Sequence, residues 1–179
     1  TEEADPSTIT GLRNWYKAHA LALSDNDLVT TWDAESGNGY DATQSTVANK
    51  PTYKTNQING LPAVMFSADT GVEHYLNLPS MSSLTAGEIF AVIKTNDDPA
   101  SAPKGGLWSL SSGTTGPDGT WYPYSDSQKY ESFGTTSRKT LGNPSDALTS
   151  WRAYNVRSGA DGFAALIDGS VFYQTETNT

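Results

Sequence analysis

Short β-prone runs recur along this chain, separated by Gly, Pro, Asn and Asp. The first clear run covers residues 28–32. Residues 62–66 (Pro-Ala-Val-Met-Phe) follow an Asn59-Gly60 turn, and residues 75–78 follow a Gly-containing loop. Residues 88–95 form the best buried-strand candidate, because Ile89, Phe90, Ala91, Val92 and Ile93 are contiguous. Residues 106–111 read as another strand, followed by a strong turn at Gly116-Pro117-Asp118-Gly119. Residues 121–124 and 130–133 read as two arms of a hairpin, and residues 151–157 alternate in character. Residues 163–167 and 170–174 flank Asp168-Gly169, the signature of a two-residue hairpin turn. Near the N-terminus, Leu12, Trp15, Tyr16 and His19 fit helical spacing, but residues 15–20 also alternate as a strand would.

Many strands at this spacing with little helix predict an all-β, two-sheet sandwich. Residues 1–8 are polar and read as a flexible arm, and residues 9–179 as a single domain. Trp108 and Trp151 are expected in the core.

Composition narrows the function classes. The 179 residues carry a net charge of −9 and no cysteine. An acidic surface without a Lys/Arg cluster disfavours nucleic acid. Absence of cysteine excludes disulfides and thiolate zinc sites. No apolar run is long enough to span a bilayer as a helix. The start without Met suggests a processed N-terminus. The lone Asn-x-Ser match, Asn143-Pro144-Ser145, is blocked by its proline, which favours a bacterial or viral origin.

Several motifs in order carry a family resemblance: GLRNWYKA (11–18), LVTTWDAESGNGYDATQ (28–44), KPTYKTNQINGLPAVMF (50–66), YLNL (75–78) and LTAGEIFAVIKT (84–95). YPYSDSQKYESFGTTSR and the terminal LIDGSVFYQTETNT fit the same pattern. Together they resemble the laminin G-like, concanavalin A-like lectin/glucanase jelly roll of phage virion and bacterial surface proteins. The resemblance implies a jelly roll of two antiparallel sheets, on a virion surface or outside the cell. The family pattern usually continues into a closing strand past the last residues present here. The expectation is therefore a fragment, or a C-terminal sheet edge completed by strand addition from a neighbouring chain.

Glucanases of this superfamily use a Glu-x-Asp-x-x-Glu strand to place carboxylates across the scissile bond. No such segment occurs: Glu88 and Glu131 are each followed two positions on by phenylalanine. His-Glu-x-x-His, Gly-x-Ser-x-Gly and phosphate loops are also missing. His19 and His74 are expected to be partly buried aromatics. The chain is read as a non-enzyme, with a glycoside-cleaving enzyme as the minor alternative.

Two functions remain. A glycan-binding attachment module would use aromatic faces beside polar groups, and Trp121, Tyr122, Tyr124, Asp126 and Tyr130 supply both. A structural or decoration module of a capsid or tail would bury the same aromatics against other subunits. The segment Trp32-Asp33-Ala34-Glu35-Ser36-Gly37-Asn38-Gly39-Tyr40-Asp41-Ala42 raises a third possibility, calcium, with Asp33, Asn38 and Asp41 as weak candidate ligands. Its spacing is not that of a complete calcium loop, so no cofactor is expected. The segment reads better as a strand end running into a self-shaped turn.

Overall fold

Two dipeptides set the hairpins that join Thr52–Ile58 to Leu61–Met65 and Gly162–Ile167 to Ser170–Thr175. Asn59 and Gly60 take φ of 51° and 78°, and Asp168 and Gly169 take 49° and 80°. Positive φ at both central residues is the geometry that matches the twist of flanking antiparallel strands, which is why Asn-Gly and Asp-Gly stand there. The computed structural model describes residues 5–67, 71–81, 84, 86–96, 106–109, 120–122, 128–135, 137–145 and 149–178. Among them the regular elements are antiparallel strands and short 3₁₀ turns. The chain gathers into two compact units, Thr1–Pro79 and Ser80–Thr179.

The first unit holds β1 (Thr31–Trp32) paired with β2 (Ala42–Thr43), and β3 (Thr52–Ile58) paired with β4 (Leu61–Met65) through Asn59-Gly60. The strand expected over residues 28–32 is mostly a single bridge, Leu28 with Thr52, followed by the short β1. β3 is polar except for Tyr53 and Ile58, and no hydropathy pattern announces it. Residues 75–78 form only a bridge, Asn77 with Thr43, and not a strand. Residues 12–17 settle the helix-or-strand ambiguity as neither; one 3₁₀ turn, Ala18–Ala20, follows them. In the polar arm, Asp5 caps a 3₁₀ turn at Pro6–Thr8 by accepting from the Ser7 N–H.

The second unit holds a four-stranded sheet in the order β10-β9-β8-β5: Ser170–Thr175, Gly162–Ile167, Arg152–Gly159 and Gly87–Ile93. A ribbon of β6 (Lys129–Glu131) and β7 (Lys139–Gly142) lies in the same unit. Tyr122 and Leu141, from the ribbon side, share one buried cluster with Tyr154, Val156, Phe163, Ala165 and Ile167 of the larger sheet. The inward row of each sheet therefore faces the other, and burying side chains of that size is the main favourable term for the unit. Trp108 packs against this cluster and stacks on Tyr154 at 5.9 Å, while Trp151 is half-buried beneath the Lys94 ammonium.

Gly162 shows how closely the chain packs at the start of β9. Its φ is 118°, and a Cβ there would lie 2.2 Å from the Thr175 carbonyl oxygen. Only glycine fits both the backbone conformation and the space.

Candidate functional site

The aromatic segment is sorted by strand alternation. Trp121 exchanges both backbone hydrogen bonds with Tyr130: Trp121 N–H to Tyr130 O at 2.9 Å, and Tyr130 N–H to Trp121 O at 3.1 Å. Directly paired residues share a face, and their neighbours occupy the other. The inward row is Thr120, Tyr122, Lys129, Glu131, Lys139 and Leu141, all buried. The other row contains Gly106, Trp121, Tyr130 and Thr140, linked by successive cross-strand pairings. Trp121 and Tyr130 are half-buried and Thr140 is exposed. The Arg138 guanidinium lies 4.6 Å from the centre of the Tyr130 ring. Gly106 brings its backbone beside the indole: a Cβ there would lie 4.0 Å from the Trp121 ring and 3.9 Å from the Thr120 carbonyl oxygen.

Beneath this row lies a polar core. Glu131 is 0 % exposed. Its Oε1 accepts from the Thr120 hydroxyl and from the Ser132 and Phe133 N–H groups at 3.1 and 3.0 Å. Its Oε2 accepts from the Tyr154 hydroxyl at 3.1 Å. Burial pushes the carboxyl above the usual carboxylate range, against the opposing pull of these hydrogen bonds. Burial also raises the Tyr154 hydroxyl well above its ordinary value, reinforced by the neighbouring Glu131 charge. Lys129, also 0 % exposed, donates to Asn143 Oδ1 at 3.0 Å. Glu131 is thus enclosed and engaged by four donors, so its chemistry is that of a structural acceptor.

The sequence-derived candidates separate accordingly. Trp121 and Tyr130 come together on the outward row. Tyr122 is 1 % exposed and packs on Tyr154 at 5.1 Å, so the structure places it in the core rather than at a surface. Tyr124 and Asp126 lie outside the described residues. Arg138 and Thr140 were not expected; they arrive because β7 pairs with β6, and residues 139–142 have no apolar periodicity. The Arg138–Tyr130 contact is a through-space relationship that spacing does not reveal.

The WDAESGNGYDA segment is closed at its base by the Trp32–Ala42 pair. Asp41 Oδ1 accepts from the Ala34 N–H at 2.8 Å. The Asn38 amide donates to the Leu12 and Arg13 carbonyls at 2.9 and 3.2 Å, and the Ser36 hydroxyl to Arg13 O at 2.7 Å. Glu35 pairs with Lys17 at 3.1 Å. The Tyr16 hydroxyl donates to Tyr40 O, and the Tyr16 ring packs on Trp32 at 5.5 Å. Gly37 and Gly39 adopt φ of 70° and 69°, which lets the chain reverse between these anchors. Asp33 is exposed. Among the described residues no three His, Cys, Asp or Glu side chains gather into a metal-ligating group. His19 is exposed, contrary to the expectation of a partly buried ring, whereas His74 is half-buried and its Nδ1 accepts from the Ser67 N–H at 3.3 Å. Among the described residues no helix is long and apolar enough to cross a membrane.

No protein-family model, curated protein or solved structure matches this chain.

Proposed function

We propose that the chain is a non-catalytic attachment module of a virion or cell-surface protein, with the jelly-roll architecture its motifs suggest, and that it binds glycan on the Trp121–Tyr130 face. The observation that carries this reading is the pairing of Trp121 with Tyr130 on the side opposite the buried Glu131 row. Aromatic rings offer apolar faces to the C–H surface of a sugar. The Arg138 guanidinium places positive charge beside Tyr130, and Thr140 adds a hydroxyl. The test is a glycan array comparing wild type with Tyr130→Ala. Retention of every wild-type signal by the variant would remove this face from the site.

A second reading is a structural or decoration module of a capsid or tail that works through protein contacts. It is favoured by the exposed apolar side chains of β5, where Phe90 and Val92 face outward.

A further inference from the structure

Among the described residues β5 is a terminal strand of the four-stranded sheet, hydrogen-bonded to β8 on one side. Terminal strands offer unpaired backbone groups to other chains, and proteins blunt them with proline, bulges or inward charges. β10, at the opposite end of the sheet, has such a bulge between Val171 and Tyr173. β5 has none: seven residues, Gly87 to Ile93, pair with β8 without a register shift, and no proline interrupts them. On its outward face Phe90 is 74 % and Val92 62 % exposed, and Glu88 and Lys94 flank them.

The sequence of this edge is self-complementary. In antiparallel pairing with a second copy about a two-fold axis at Ala91, Phe90 lies opposite the partner's Val92. Ile89 then lies opposite the partner's Ile93, and Glu88 opposite the partner's Lys94, one residue past the strand end. By symmetry each pair occurs twice. Aromatic–β-branched and opposite-charge pairs are the favourable cross-strand combinations. A shift of the axis to Phe90 sets Glu88 against the partner's Val92, and a shift to Val92 sets Phe90 against the partner's Lys94. Registers centred between residues turn the two outward rows to opposite faces. The two charges are also held in place. Asn155 donates to Glu88 Oε1 at 3.1 Å, and the Lys94 ammonium lies 5.4 Å from the Trp151 ring centre. One acid and one base on the edge cancel, so the net charge of −9 is not concentrated there.

We infer that β5 is an interaction surface for a second copy of this chain, joining two four-stranded sheets edge to edge by antiparallel pairing centred on Ala91. This surface is separate from the Trp121–Tyr130 row and does not depend on what that row binds.

The experiment is sedimentation velocity on the full chain from about 1 to about 200 µM, the range expected for a small symmetric contact. Wild type should shift with concentration from 19.1 kDa to twice that mass. Lys94→Glu and Glu88→Lys should each weaken the dimer about 10-fold or more, because each reversal creates two like-charge pairs across the axis. The double variant Glu88→Lys/Lys94→Glu, which restores both opposite-charge pairs, should recover affinity to within about 3-fold of wild type. Circular dichroism of each variant confirms the fold, and a variant that has lost it is replaced by Val92→Lys, which should also give the monomer. A wild-type monomer at every concentration overturns the inference. So does a dimer indifferent to the single reversals, or one that the double reversal fails to restore.

Discussion

The Tyr154 hydroxyl of β8 donates to Glu131 Oε2 of β6 at 3.1 Å, joining the two sheets of the second unit through a buried polar contact. Thr120 and the Ser132 and Phe133 N–H groups complete the shell around the same carboxylate. This arrangement fixes the register of β6 against the larger sheet. It thereby sets Tyr122 inward and Trp121 and Tyr130 on the opposite row.

Removal of the acceptor strands four donors, of which the Thr120 and Tyr154 hydroxyls are fully buried. Glu131→Ala should cost about 3 kcal/mol or more, since each buried donor left without a partner is penalised. Tyr154→Phe removes one donor and keeps the ring, and should cost about 1–2 kcal/mol. Urea unfolding of both variants checks the order.

Glu131 also predicts a pH dependence. Its folded pKa is raised by burial, so the folded state holds this proton more tightly than the unfolded chain. Its titration contribution is fully present below the unfolded value and is lost as pH rises through the folded value. Glu131→Gln removes that dependence. Wild type should therefore gain melting temperature relative to Glu131→Gln as pH is lowered toward the unfolded glutamate pKa, which differential scanning calorimetry across this range measures. A parallel pair of curves would contradict it.

Glycine substitutions should divide sharply. Gly162→Ala drives a Cβ into the Thr175 carbonyl at 2.2 Å with φ at 118°, and should cost about 3 kcal/mol or more. Gly169→Ala meets nothing within 4 Å and bears only the strain of its φ of 80°, about 1–2 kcal/mol. Chemical denaturation of the two variants makes the comparison.

The WDAESGNGYDA segment is held by its own chain. Asp41→Ala frees the Ala34 N–H and should lower stability by about 1–2 kcal/mol. Because the loop's shape comes from these contacts, chelator should leave the wild-type melting temperature unchanged. A rise on adding calcium to chelated protein would show that Asp33, Asn38 or Asp41 has a second use.

What the sequence made legible follows from local chemistry. Asn59-Gly60 and Asp168-Gly169 announced their hairpins because each dipeptide tolerates positive φ. Ile89 to Ile93 announced β5 as a strand because apolar residues were contiguous, but the burial expected of it fails: the strand alternates and leaves Phe90 and Val92 exposed. β3 and β7 stayed hidden because their stability comes from pairing, not from an apolar face of their own. Lys129, Glu131 and Lys139 ran against every burial preference, since charged residues enter a core only with partners, and Thr120, Tyr154 and Asn143 come from other segments. For the same reason the aromatic cluster could be located but not divided. Tyr122 and Tyr130 look alike in sequence, and one is core while the other stands in the outward row.

The central claim is that Trp121 and Tyr130 form an attachment face. Its most direct measurement is calorimetric titration of a glycan that binds wild type into Trp121→Ala, beside a melting curve of the same variant. The account predicts at least about 10-fold weaker binding, because a lost aromatic anchor is worth upwards of a kcal/mol, with cooperative unfolding retained. Wild-type affinity in a folded Trp121→Ala protein would contradict it.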